Sequence, residues 1–225
     1  MQVFGFILAI MLATPGQLFA ESRIAIATAD GVPLSLPDGA GFHDRIIQEA
    51  FKRIGLVMDI VQLPAERALL NANEGIEAGV YVRVEGLDGV YSNLRMVPEK
   101  ITEYQFVAFG KNRRLQLEDW TSLKDYHVGI ITGWKILENN IRDFKTLTKV
   151  KNAELLFKAL QDDKVDLIIY NKLDGYGTLK ELGIKGIYAL NKPFATKEMF
   201  LYLHKTREDL IAPLNEALKA LKSDG

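Results

Sequence analysis

Thr132, Gly133 and Trp134 carry the clearest chemical signal in this chain. They follow an apolar run, Val128–Ile131, at the point where a helical pattern begins. A strand, a glycine turn and a helix start together aim unpaired N–H groups, a hydroxyl and an aromatic ring at a small ligand. A second apolar run, Val165–Tyr170, ends in the polar Asn171, so two strand ends can converge on one cleft. Other chemistries find less support. His43, His127 and His204 stand in neither HxH nor HExxH spacing, so no metal site is expected. Gly175-Tyr176-Gly177 lacks the third glycine of a dinucleotide fingerprint, and neither a GxxxxGK[ST] loop nor a GxSxG elbow occurs. No cofactor is expected. Asp162-Asp163 and the Lys111, Arg113, Arg114 group read as solvated turns.

The elements that must position these residues alternate. Arg23–Thr28 reads as a strand, followed by a loop dense in Gly, Pro and Asp. Ile46, Ile47, Ala50, Phe51 and Ile54 recur at helical spacing, with Gly55 placed to stop the helix. Leu56–Leu63 is the next strand. Pro64 opens a helix whose buried face is Ala68, Leu69 and Ala72, and Ala78–Val82 is a short strand ending at Arg83. This order predicts a parallel sheet with crossover helices. Periodicity is lost from Glu85 to Thr102, and Tyr104–Lys111 is again strand-like. A second αβ unit runs to about Tyr188, then a strand (Met199–Leu203) and a final helix bearing Leu210, Ile211, Leu214, Ala217, Leu218 and Leu221. That helix is expected to pack back on the first unit. The chain then crosses between two lobes twice, near Lys111 and near Asn191, and two crossings make a hinge.

The 225 residues, 48% apolar and 25% charged, are ordinary for a globular protein. A net charge of −1 with no long basic block excludes nucleic acid as an expected partner. The first twenty residues carry no charge. Their apolar run Val3–Ala13, the Pro15-Gly16 break and Ala20 read as a signal peptide over 1–20, giving an exported, periplasmic protein. Cysteine is absent, which removes disulfides, a cysteine-linked lipid anchor and thiolate catalysis.

Taken in order, several stretches resemble the type 2 periplasmic solute-binding proteins, in particular the small amino-acid-binding-like group serving ATP-binding cassette (ABC) importers. They are Gly41–Gly55 (GFHDRIIQEAFKRIG), Leu63–Leu69 (LPAERAL), Tyr91–Ile101 (YSNLRMVPEKI), Val128–Glu138 (VGIITGWKILE), Phe157–Asn171 (FKALQDDKVDLIIYN) and the tail Leu201–Gly225. The resemblance implies an α/β protein of two lobes, each a mixed, mostly parallel sheet flanked by helices, joined by two crossover hinge strands. Lobe one is expected over 21–110 and 193–225, and lobe two over 111–192. It also implies a monomer that closes around one small polar, carboxylate-bearing, amino-acid-like solute and presents it to an ABC permease or a membrane sensor, without catalysis.

Residue roles follow from the resemblance by position. Arg83 stands where the family clamps a ligand carboxylate, a task that suits a planar guanidinium; the plainer alternative is a solvated arginine paired with Glu85. Thr132, Gly133 and Trp134 stand where a hydroxyl and backbone N–H groups grip the same carboxylate. Asn171 replaces the aspartate that holds an α-ammonium group, and Asp174 is placed to compensate. Ser35 and Phe42 lie where the first loop drapes over the ligand. Glu66 and Arg67 sit in the first turn of the Pro64 helix, facing the strand ends. Two alternatives remain: a dehydratase-like enzyme on the same fold with Glu66 as acid or base, and an accessory protein or orphan sensor whose cleft is filled by side chains.

Overall fold

The computed structural model describes residues 22–141, 143–144, 146–190 and 192–224, so the segment 1–20 expected to be a signal peptide and the crossing expected near Asn191 lie outside the described residues. Sixteen elements follow in chain order. They are β1 (Arg23–Thr28), α1 (Phe42–Arg53), β2 (Val57–Gln62), α2 (Ala65–Glu74), β3 (Gly79–Val84), β4 (Leu94–Met96), β5 (Thr102–Gly110) and β6 (Val128–Ile131). Then come α3 (Lys135–Ile141), β7 (Leu147–Val150), α4 (Ala153–Gln161), β8 (Leu167–Asn171), α5 (Lys172–Glu181), β9 (Tyr188–Ala189), β10 (Ala195–His204) and α6 (Ile211–Asp224).

Each lobe is built on parallel pairs. β1 lies between β2 and β3, parallel to both, and β6 lies between β7 and β8, parallel to both. Parallel neighbours need crossover connections, and α1, α2, α3 and α4 supply them. The helices hold by their apolar faces. In α2, Ala65, Ala68, Leu69 and Ala72 are buried at helical spacing, and Gly75 at φ +77° ends the helix in the left-handed region. In α4 the Asn152 side chain accepts from the Leu155 N–H at 3.0 Å, while Leu156, Phe157, Ala159 and Leu160 pack inward. All five residues of β8 are buried, as a strand covered on both faces requires.

Two long strands join the lobes. β5 and β10 are antiparallel, from Phe106 opposite Ala195 to Thr102 opposite Met199. From the two ends of that overlap onward each strand pairs into a different lobe. β5 continues against β8, with Phe106 opposite Asn171, and β10 continues against β3 and β4. A register shift between Phe200 and Tyr202 lets β10 turn as it changes partners. The last helix, α6, returns to α1, where Arg53 meets Asp224 at 2.8 Å and Leu214, Ala217 and Leu218 are buried.

The strand at Ala195–His204 is longer than the apolar run at Met199–Leu203, because its first half pairs only with β5 and needs no buried side chains. β4, in the stretch without periodicity, forms because β10 offers it an edge. Among the described residues, no helix is long and apolar enough to cross a membrane.

Leu201 is fully buried where β10 has crossed into the first lobe. Leu201→Ala should lower unfolding free energy by about 2–5 kcal/mol, the usual cost of such a cavity, as measured by urea denaturation.

Candidate functional site

The strand ends of both lobes face each other across a closed cleft. A Cβ on Gly133 would stand 2.3 Å from the Glu66 backbone nitrogen, so only glycine lets the second lobe approach α2 this closely. Its φ of +89° makes the same demand. Beside this contact Lys135 Nζ reaches Glu66 Oε2 at 2.6 Å across the lobes and Glu138 Oε2 at 3.0 Å within its own. The Tyr91 hydroxyl donates to Glu66 Oε1 at 3.2 Å, which holds the carboxylate toward the lysine. Burial alone would lower the Lys135 pKa, but Glu66, Glu138 and Tyr91 outweigh it and raise it. A second contact lies at α5, where Gly177 packs against the Val32 carbonyl and Pro33.

Behind these contacts lies a cavity of about 30 Å³. Arg83, Asp30, Tyr104, Phe106 and Trp134 line it, with aliphatic groups such as Leu69 and Met199. Adjoining it, and sharing Ala29, Asp30 and Trp134 with it, a recess of about 460 Å³ runs along the ends of β1, β2, β6 and β8. Trp134 therefore forms a wall of both spaces. Its ring stacks on Tyr170 at 4.7 Å and 17°, and meets Phe106 edge-on at 5.7 Å and 87°.

Arg83 is buried. Its Nη2 donates to the Ala65 carbonyl at a long 3.4 Å, and its Nε has no hydrogen-bond partner. Among the described residues it forms no ion pair with Glu85 or any other carboxylate. Burial pushes its pKa down, opposed mainly by the charge of Asp30.

The acidic side of the site comes from both lobes. Asp30, two residues beyond β1, accepts from the Tyr104 hydroxyl and lies 2.7 Å from His43 Nδ1. Asp174, in the first turn of α5, is fully buried. One of its oxygens accepts from Asn171 Nδ2 at 3.0 Å, and the other has no partner. Burial raises the Asp174 pKa well above the ordinary carboxylate range, and the nearby charge of Asp30 adds to the shift. Tyr104 is held protonated in the same way, by burial first and then by Asp174 and Asp30.

The residues singled out in the sequence are therefore placed unevenly. Arg83, Gly133 and Trp134 line the inner cavity. Asn171 spends its amide on Asp174, and Glu66 belongs to the contact between lobes. The Gly133 N–H, expected to meet a ligand, donates to Glu138 Oε1 at 3.1 Å. Burial would raise the Glu138 pKa, but this N–H and Lys135 outweigh it and hold it low. Thr132 is half-buried and donates its N–H to the Val150 carbonyl in the sheet. Ser35 is buried behind the cleft, accepting from Gln62 Nε2 at 3.0 Å. Phe42 is 61% exposed at the start of α1, and Arg67 lies on the exposed side of α2.

Asp30, His43, Tyr104, Phe106, Lys135 and Tyr170 were not singled out in the sequence. Asp30 follows a strand end, which is a usable signal. Tyr104 and Phe106 look like ordinary strand residues, because only the pairing of β5 reveals that they cross the cleft.

No family model matches the chain. An uncharacterized protein of Shewanella oneidensis is 27% identical over 191 residues, covering 80% of this chain and 70% of that one. The crystal structure of a histidine kinase sensor domain with similarity to periplasmic binding proteins matches with a TM-score of 0.79 at 13% identity, over 90% of this chain and 91% of the other. The substrate-binding protein of an amino acid ABC transporter matches with a TM-score of 0.75 at 17% identity, over 91% and 95%. The chain has the two-lobed fold of type 2 periplasmic binding proteins.

Two outcomes follow. Asp174 binds its proton more tightly folded than unfolded, so its contribution to stability is present below the ordinary carboxylate range near pH 4 and is lost as pH rises toward its raised value. Asp174→Asn should match the wild type in acid and gain on it as pH rises, by up to about 1.4 kcal/mol per pH unit, in denaturation curves run across pH. Glu66→Gln keeps the bulk of the side chain and removes the charge facing Lys135. Small-angle scattering should then give a larger radius of gyration than the wild type, and an unchanged radius would mean the ion pair does not bias closure.

Proposed function

We propose that this protein is a receptor which closes over a small, carboxylate-bearing, amino-acid-like solute, and that Arg83 receives the carboxylate. One observation carries the reading. A buried guanidinium with a partnerless Nε and one long hydrogen bond is costly to keep unless something anionic completes it. It lines the cavity between the lobes, where a solute carboxylate would meet two charge-assisted donors. Asp30 stands in the same cavity and supports a cationic group on the same solute.

The lobes of this reading are 21–110 with 193–225, and 111–192, hinged on β5 and β10. Solute would shift the population toward the closed form, because only that form brings groups of both lobes onto it. Export through the leader to the periplasm, and delivery to an ABC permease or a membrane sensor, complete the proposal. The transporter component and the kinase sensor domain that share the fold are consistent with either reader of the closed state.

The small volume of the inner cavity favours a second reading. About 30 Å³ holds only a water molecule or two, as in an accessory protein whose cleft is filled by Trp134 and its neighbours. A thermal-shift screen of amino acids, opines, polyamines and small organic acids separates the two, since a bound solute raises the melting temperature by mass action. No shift with any carboxylate would favour the accessory role.

Arg83→Met retains most of the side chain's reach and removes the buried charge. Affinity for the solute found in the screen should fall by about 2–3 kcal/mol, the scale of lost charge-assisted hydrogen bonds, in isothermal titration. Stability without solute should hold or rise. Unchanged affinity would remove Arg83 from the site.

A further inference from the structure

Asp174 lines neither the inner cavity nor the recess beside it, yet it is fully buried. Polar and charged groups converge on it from several elements. Asp30 faces it from the loop after β1, Tyr104 from β5, and Tyr170 and Asn171 from β8. His43 of α1 and Arg83 of β3 reach the cluster through Asp30, His43 at 2.7 Å and Arg83 by its charge. The next residue, Gly175, rests on the ring of Phe109, where a Cβ would stand 2.1 Å from the ring edge, so that side is apolar. No lysine or arginine is among the groups that act on Asp174.

Tyr104 faces both carboxylates with one hydroxyl proton, and donates it to Asp30. Asp174 is left with one oxygen on Asn171 and the other without a partner. An enclosed carboxylate in that state is costly. A carboxylic acid in the same place is not, because it carries no charge and brings a donor of its own. The cover over Asp174 comes from the opposite lobe. The loop that carries Asp30 closes on α5, where a Cβ on Gly177 would stand 2.2 Å from the Val32 carbonyl oxygen and 2.6 Å from Pro33. Gly31 of the same loop lies beside the Tyr170 hydroxyl, 3.8 Å from where its Cβ would be. Parting the lobes therefore removes the Asp30 charge and this cover together, and returns water to Asp174.

We propose that Asp174 is a proton site completed only when the lobes close, so that closure takes up one proton and opening releases it. The inference concerns the chain itself and needs no bound solute. Its sign follows from the two forms. In the closed form burial, and then Asp30, hold the Asp174 pKa well above the ordinary carboxylate range, and in the open form it falls back toward about 4. Acid thus favours closure. The bias is fully present below the open-form value and is lost as pH rises through the closed-form value. Between the two, the ratio of closed to open chains changes by up to about tenfold per pH unit. The coupling is reciprocal, so anything that closes the lobes makes Asp174 bind its proton more tightly.

Carbon-detected NMR of the Asp174 carboxyl across a pH series tests this, with the signal assigned by its loss in Asp174→Asn. In the wild type the carboxyl should titrate above the ordinary range. Gly177→Ala suits a helix interior and wedges the Val32–Pro33 loop off α5. There the carboxyl should titrate at least about one pH unit lower, a tenfold weaker hold on the proton. Gly133→Ala parts the lobes at their other contact, leaves the residues around Asp174 untouched, and should produce the same fall. Small-angle scattering on the same samples should show a larger radius of gyration in each wedged variant. The proposal is overturned if Asp174 titrates near 4 in the wild type. It is overturned equally if the raised value persists in a variant whose radius has grown, since the burial then belongs to α5 alone. An unchanged radius in both variants would mean that the lobes do not part, and overturns it as well.

Discussion

The antiparallel overlap of β5 with β10 is the constraint on which the rest depends. Only five residue pairs make it, from Phe106 opposite Ala195 to Thr102 opposite Met199. Each strand then pairs with the strands of a different lobe within one continuous sheet, so the overlap is the joint between the lobes. Tyr104 and Phe106 lie within it and line the inner cavity. On the proposed reading, the residues at the joint between the lobes are also the ones that would meet a solute. Phe106 is paired with Ala195 on one side and Asn171 on the other, so it belongs to both lobes at once.

Closure is held from one side by geometry and from another by charge. Gly133 brings the start of α3 against α2 at a separation that a side chain would forbid, and this proximity places Lys135 on Glu66. The same arrangement explains why α3 does not offer a free anion site. A strand–turn–helix junction exposes N–H groups, but Glu138 folds back onto the Gly133 N–H and satisfies it from within. Lys135 then bridges Glu138 to Glu66. An arrangement that elsewhere suits a ligand anion here contributes to docking the lobes.

Much of the fold is legible in the sequence, because alternation of strand and helix patterns follows directly from what each element buries. The run Val128–Ile131 is a strand, and the helical spacing of Ala68, Leu69 and Ala72 is the buried face of α2. Arg83 is legible for a related reason, standing at the end of β3 with no periodic role. Other site residues are not, and the reasons differ. Phe42 and Arg67 have suitable side chains and local positions, but α1 and α2 turn them outward. Asp30 and Asp174 come from opposite lobes, 144 positions apart in the numbering, and nothing in local pattern announces that they meet the same tyrosine. Long-range pairing decides such contacts, and composition carries no trace of it.

The charges enclosed by closure form an unfinished set. Asp30 faces His43 and Tyr104, Asp174 is held toward its neutral form by burial and by Asp30, and Arg83 has one weak partner. Burying a cation and a carboxylate in one cavity without joining them forgoes most of their mutual attraction, yet both have lost water. Direct pairing of Arg83 with Asp30 would relieve this, and the hydroxyl of Tyr104 and the ring of His43 hold Asp30 away from it. An arrangement that keeps two opposite charges apart across a small apolar gap is poor as a stabilising device. It suits a molecule that carries the complementary charges at its own two ends. On that view the network around Asp30 serves less to stabilise the lobe than to maintain the separation, and His43, which does not line the cavity, would act on a solute only through Asp30.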